Sequence, residues 1–328
     1  MIAADTPRQI VAADIGGTHA RFALATVADG GVVSLAEPVT LKTAEHASFQ
    51  TAWEEFGRRC GAALPKELAI AFAGPVGGEL LKLTNNPWVI RPAMMQEKLG
   101  VERFLIVNDF GAVAHAVAAL DDRGFTLLCG PDEPLPNPGI ITILGPGTGL
   151  GVASLLRRDG HVHVIETEGG HVDFAPLDQL EDKILTELRR SFRRVSVERL
   201  LSGRGLANIY EALAAIEDRP TTIHDERALW TAAMDGTDSL AAAALDRLCL
   251  TLGAVAGDLA LAQGAGGVAI GGGLGLRLAA HLPRSGFRDR FIAKGRFERR
   301  LDAMPVKLIT YAQPGLFGAA AAFAREYR

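Results

Sequence analysis

The chain has 328 residues, 48% hydrophobic and 22% charged, with a formal net charge of -4 at neutral pH. At about 100–200 residues per domain this length predicts two globular lobes, and the ordinary balance of residues excludes a disordered or fibrous chain. The slight acidity argues against a nucleic-acid binder, and an anionic ligand would have to be held by local amides and metal rather than by a broad positive field.

Residues 1–9 hold an aspartate and a proline where a signal peptide would carry a basic and then an apolar region. An apolar run rich in β-formers at 10–14 ends at Gly16-Gly17-Thr18 and resumes at 21–27, which predicts strand, glycine turn, strand. Helical spacing marks 47–63. Strands are expected at 68–72, stopped by Gly74-Pro75, and at 104–107, running into Asn108-Asp109 and a helix over 112–120. Residues 127–139 carry four prolines with Asp132 and Glu133, and read as an exposed connection near a lobe boundary.

The second half restarts the plan. Apolar residues 140–144 lead into Gly145-Pro146-Gly147-Thr148-Gly149-Leu150-Gly151, and the apolar pattern resumes at 152–156. Gly17-Thr18 and Gly147-Thr148 stand 130 residues apart, and 268–270 run into Gly271-Gly272-Gly273 as 68–72 run into Gly74. This predicts an internal duplication whose order fits two α/β lobes facing each other across a cleft. Helices dominate 178–261, with 197–201 and 206–215 separated at Ser202-Gly203-Arg204-Gly205. That break and 131–138 are the expected flexing places. An alanine-rich helix after Pro314-Gly315 must bury its apolar face, most simply on the first lobe. Asp246, Arg247 and Asp258 interrupt the apolar stretch 240–261, so no segment reads as membrane-spanning. Cys60, Cys129 and Cys249 are far apart, which predicts buried free thiols in a reducing compartment.

Glycine lets a backbone approach phosphate oxygens and aim its amides inward, so two such turns, each with a threonine hydroxyl, can grip a nucleotide's phosphates. The competing reading makes them hairpins and packing contacts only. No Gly-Lys pair occurs, which removes the P-loop. Neither 145–151 nor 271–275 satisfies GxGxxG. Asp109-Phe110-Gly111 spells DFG without the HRD loop or VAIK strand of protein kinases. Asp14 ends a buried strand two residues before a glycine pair, a place suited to a magnesium ion or its waters.

Asp14-Ile15-Gly16-Gly17-Thr18 resembles the first phosphate motif of the hexokinase, actin and heat-shock chaperone superfamily, 145–151 its second, and 268–273 its adenosine motif. Val107-Asn108-Asp109-Phe110, Glu168-Gly169-Gly170-His171-Val172-Asp173-Phe174 and Glu198-Arg199-Leu200-Leu201-Ser202-Gly203 are similar to segments of the bacterial glucokinases. The resemblance runs in order over residues 11–318. It departs at His19, where asparagine is common, and at Leu276, where proline is frequent.

The resemblance implies an α/β fold of two ribonuclease-H-like (actin-like ATPase) lobes with a cleft between them. The small lobe would be 1–119 plus 312–328, the large one 120–311. It implies ATP-dependent phosphorylation of D-glucose to glucose 6-phosphate with Mg2+, in a cytoplasmic enzyme that is usually a homodimer and binds neither nucleic acid nor membrane. Asp109 becomes the catalytic base, Asn108 lies beside it on the sugar, and Glu168, His171 and Glu198 take the remaining hydroxyls. Asn85, within Thr84-Asn85-Asn86-Pro87-Trp88, falls on the loop lining the sugar's edge. Gly16, Gly17, Thr18, Gly145, Gly147, Thr148, Gly149, Gly272 and Gly273 fall to the nucleotide, with Asp14 on the metal.

Chemistry supports the same roles. Asp109 lies just past the end of a strand, where α/β sheets place ligands. A carboxylate there can orient an alcohol and take its proton as bonding to phosphorus develops, although Asn-Asp is also good helix-capping chemistry. A hexose offers several donor–acceptor hydroxyls, for which carboxylates, an amide and an imidazole are the right partners. His161 and His163 share one face of a strand and, with Glu166, Glu168 and His171, allow a metal cluster; Asp159-Gly160 instead reads as a hairpin turn bearing surface histidines. The alternatives for the whole chain are another hexose as acceptor, polyphosphate or ADP as donor, a chaperone- or actin-like ATPase without a sugar site, and a sugar-sensing regulator. The last would need a DNA-binding segment ahead of the first strand, where nine residues precede Ile10.

Overall fold

In the computed structural model, which describes residues 6–83 and 86–328, the opening strand–turn–strand pattern is β1 (Arg8–Ile15) and β2 (His19–Ala28), paired antiparallel. Strands β3 (Gly31–Leu35) and β4 (Val39–Lys42) extend from β2, also antiparallel. After α1 (Phe49–Cys60), strand β5 (Glu67–Phe72) returns parallel to β1. Ser48 opens α1 with a capping box to Thr51, and Gly61 closes it at φ +66°. A short hairpin, β6 (Leu81–Lys82) with β7 (Val89–Ile90), and α2 (Met95–Leu99) precede β8 (Arg103–Asn108), which lies parallel to β5 and leads into α3 (Asp109–Ala119).

Side chains alternate across β1 and both faces are covered, which is why the strand reads as one unbroken apolar run. Val11, Ala13 and Ile15 enter a core with Phe22, Phe49, Trp53 and Phe56, while Ile10 and Ala12 face Leu316, Ala319 and Phe323 of the C-terminal helix (Pro314–Glu326). Residues Met1–Asp121 and Tyr311–Arg328 form one compact unit. The small face of the C-terminal helix lets it come close to α3. A Cβ added at Gly318 would lie 1.7 Å from the Ala112 carbonyl oxygen.

The second unit is Asp122–Thr310. Its strands are β9 (Phe125–Cys129), β10 (Gly139–Pro146), β11 (Leu150–Arg158), β12 (His161–Thr167), β13 (Gly267–Ile270) and β14 (Val306–Ile309), ordered β12-β11-β10-β13-β14-β9. Its helices are α4 (Gln179–Ser191), α5 (Gly205–Ile216), α6 (Glu226–Asp235), α7 (Ser239–Gln263), α8 (Gly272–Arg277), α9 (Phe287–Ile292) and α10 (Glu298–Asp302). Among the described residues α7 is the one helix long and apolar enough to cross a bilayer, and it is a core helix, mostly buried against α5, α6 and α9.

The run β3-β2-β1-β5-β8 in the first unit and β12-β11-β10-β13-β14 in the second have the same order and the same senses of pairing. The duplication expected from the glycine turns is therefore present in both sheets, which are mixed α/β sheets. It stops short of the chemistry. Leu144 stands 130 residues after Asp14, so the second strand end carries no carboxylate.

Three local expectations are corrected. Residues 127–129 are the end of β9, paired with β14, and Leu128 and Leu135 are buried, so 127–139 is not an exposed connection. Prolines exclude ladder pairing only from Pro131 onward. Residues 197–201 make only a 3-10 turn, Val197–Arg199, in place of a helix. Of the cysteines only Cys249 is fully buried, although all three are free thiols. Burial pushes the Cys249 thiol up to about 12 and that of Cys129 to about 11.

Candidate functional site

In the first unit, the hairpin register pairs Asp14 with Arg21 across β1 and β2. Arg21 Nη1 stands 3.3 Å from Asp14 Oδ2, and the Asp14 side chain remains 24% exposed. Burial raises the Asp14 carboxyl above its ordinary value, and the charge and hydrogen bond of Arg21 oppose that rise only in part. A Cβ at Gly315 would lie 3.2 Å from Asp14 Oδ2, so the glycine in the first turn of the C-terminal helix leaves the carboxylate room. The adjoining turn is fixed through its carbonyls. Thr43 Oγ1 and Asn86 Nδ2 both donate to the Gly17 carbonyl, at 2.7 and 3.1 Å, and the Thr43 amide donates to Thr18. The Gly17 and Thr18 amides have no acceptor among the described residues, an arrangement suited to an anion.

Asn108 caps α3. Its Oδ1 accepts from the Phe110 and Gly111 amides at 2.9 and 3.1 Å, and its Nδ2 donates to the Gly74 carbonyl at 3.3 Å. The capping alternative is thus observed for Asn108, and its amide is held by the strand end and the helix start. Asp109 is the first residue of that helix, where its Oδ1 accepts from the Phe110 amide at 2.8 Å. The Phe110 amide and the helix dipole favour this carboxylate, half-buried, at the C-terminal edge of the sheet. Asn85 lies outside the described residues.

In the second unit the exposed turn is shorter than the seven-residue motif. Gly145 and Pro146 are buried inside β10, and only Gly147, Thr148 and Gly149 project between the strands. Gly272 opens α8 at φ +78°, and a Cβ there would lie 2.5 Å from the Pro146 carbonyl oxygen, so glycine is required for this approach. Gly273 is exposed beside it. The Gly203 amide donates to the Gly147 carbonyl at 2.7 Å, and Trp230 Nε1 donates to the Gly203 carbonyl at 3.3 Å. The helix break at 202–205 is therefore tied to the glycine turn rather than free to flex.

Glu168, His171 and Glu198 come together in this unit. Backbone pairing joins their two segments: Val197 N donates to Val172 O at 2.9 Å, and Phe174 N to Val195 O at 3.0 Å. Arg194 clamps the first segment, reaching Asp173 Oδ1 at 2.5 Å and the His171 carbonyl at 2.6 Å. His171 Nε2 and Glu168 Oε2 are 3.9 Å apart and both side chains are exposed. Gly170 packs against the Leu150 carbonyl, where a Cβ would lie 2.2 Å away. Glu198 Oε2 accepts from the Leu150 amide at 2.9 Å, which sets this trio against the 147–149 turn. Among the described residues no group of three metal-ligating side chains occurs; His161 and His163 lie exposed on β12, 6.3 Å apart.

Sequence reasoning missed Arg21, Thr43 and Trp230. Arg21 was within reach, because a hairpin folded at Gly16–Thr18 sets residues 14 and 21 opposite each other. Thr43 and Trp230 meet the turns only through tertiary folding.

A family model described as Glucokinase matches residues 11–326. The glucokinase of Zymomonas mobilis is 66% identical over 319 residues, covering 97% of this chain and 98% of that one. The crystal structure of a glucokinase from an Antarctic psychrotroph superposes with a TM-score of 0.85 at 34% identity, covering 96% of this chain and 98% of the other. A ROK family glucokinase from Streptomyces griseus, solved with glucose and AMPPNP, has a TM-score of 0.63 over 97% of this chain and 100% of that one; at 20% identity it is alike in fold alone. Matched along almost its whole length, the chain belongs to the Glucokinase family.

Proposed function

We propose that this chain transfers the terminal phosphoryl group of ATP to the 6-hydroxyl of D-glucose, giving ADP and glucose 6-phosphate. The observation that carries the reading is the family match over residues 11–326, with a glucokinase 66% identical alongside it. The name of the Zymomonas mobilis relative supports glucose as acceptor, and ATP as donor is part of the same reading.

In this reading the two units are the small and large ribonuclease-H-like lobes. The first lobe is assigned 1–119 plus 312–328 and the second 120–311. Asp109 accepts the proton of the 6-hydroxyl as the oxygen attacks phosphorus in line, and the Phe110 amide that donates to its Oδ1 helps to orient the carboxylate. Asn85, Asn108, Glu168, His171 and Glu198 hydrogen-bond the sugar. Such polar partners reject analogues lacking a hydroxyl by large factors. Gly16, Gly17, Thr18, Gly145, Gly147, Thr148 and Gly149 receive the phosphates, while Gly272 and Gly273 let the nucleotide approach α8.

Magnesium fits Asp14. The ion commonly uses one or two carboxylates plus substrate phosphates, and this strand end offers a partly exposed carboxylate with only Oδ2 engaged by Arg21. Bound there, it would neutralise charge on the phosphates. Homodimer formation and a cytoplasmic location belong to the same proposal, the first checked by sedimentation.

The test is ADP formation by the purified chain with ATP, Mg2+ and a panel of hexoses. Glucose-dependent ADP release, highest with glucose, is expected. ADP release indifferent to sugar would overturn the reading, and a higher kcat/KM for another hexose would reassign the acceptor.

A further inference from the structure

We propose that Glu198 is a positioning residue for the 147–149 turn as well as a sugar ligand, so that one carboxylate braces the sugar site and the phosphate turn together. This rests on the function proposed above. Leu150 is the first residue of β11, and its amide is the point where the turn re-enters the sheet. That amide donates to Glu198 Oε2 at 2.9 Å, although 48 residues separate the pair. A carboxylate acceptor makes this a charge-assisted bond, stronger than a neutral one.

Contact accompanies the hydrogen bond. A Cβ at Gly149 would lie 2.5 Å from Oε2 and 3.2 Å from Cδ of Glu198, so glycine at 149 is what lets the carboxylate lie flat against the turn. At Gly147 a Cβ would meet nothing within 4 Å. The two glycines of one turn are thus unequal: one faces open space, the other faces the sugar-binding acid. A sugar that draws on Glu198 pulls on the segment that receives phosphate, and a turn displaced from its place moves Glu198.

The inequality supplies the test. Glucose binding is measured by calorimetry without nucleotide for the wild type, Gly149→Ala and Gly147→Ala. Gly149→Ala is expected to weaken glucose on the order of tenfold by displacing the carboxylate, and Gly147→Ala to stay within about twofold of wild type. Equal glucose affinity in wild type and Gly149→Ala overturns the proposal. A second arm does not depend on sugar: AMPPNP binding to Glu198→Gln, whose amide oxygen still accepts from Leu150, and to Glu198→Ala, which cannot. Roughly tenfold weaker AMPPNP binding by Glu198→Ala than by Glu198→Gln is expected, and equal affinities overturn the bracing. A wild type that binds AMPPNP but no glucose would remove the sugar reading while this arm still decides the brace.

Discussion

Acid is expected to destabilise the first unit through His115. This histidine lies on α3, half-buried against the C-terminal helix, where Arg325 Nη1 stands 3.2 Å from its Nδ1. Burial, with the Arg325 charge adding to it, lowers the imidazole from 6.5 to about 4. The unfolded chain therefore binds a proton between those values that the folded chain refuses, and stability must fall as pH drops through that window. The full shift corresponds to about 3 kcal/mol, of which about 2 kcal/mol is already lost at pH 5 relative to pH 7. Urea unfolding at pH 7, 6 and 5 would be compared for the wild type and His115→Asn, which keeps an acceptor for Arg325 but cannot titrate. The variant is expected to lose about 2 kcal/mol less over that range. Parallel pH profiles for the two proteins would refute the reasoning.

Other expectations concern the turns and the metal. Gly272→Ala forces a Cβ against the Pro146 carbonyl at a φ of +78°, and should cost about 2–4 kcal/mol in thermal or urea unfolding and weaken AMPPNP binding. Gly318→Ala places a Cβ 1.7 Å from the Ala112 carbonyl oxygen and should cost at least about 3 kcal/mol, read as a lowered midpoint of unfolding. Asp14→Asn should raise the Mg2+ concentration needed for half-maximal turnover by at least roughly tenfold while leaving glucose binding near wild type; an unchanged Mg2+ titration would exclude Asp14 from the metal.

What was legible in the sequence is what short range decides. The apolar run at 10–14, the break at Gly16-Gly17-Thr18 and its repeat 130 residues later mark two hairpins, because glycine and strand alternation act over a few residues. The helix after Asn108 is read the same way, since a cap acts on its own first turn. What escaped depends on chain segments far apart. Leu127–Cys129 looked like loop because four prolines follow, yet β14, almost 180 residues later, offers those residues a partner. Glu198 was singled out through the family resemblance, but its bond to Leu150 was not foreseen, because nothing local to residue 198 records where residue 150 will lie. The same applies to Thr43 and Asn86 on the Gly17 carbonyl.

The most direct test is Asp109→Asn, assayed for glucose binding by calorimetry and for turnover with ATP and Mg2+. Retained folding and glucose binding, with kcat lowered roughly 10²–10⁴-fold, is the predicted result for the loss of a base. Turnover within a few-fold of wild type would contradict it and leave the carboxylate as no more than the first residue of α3.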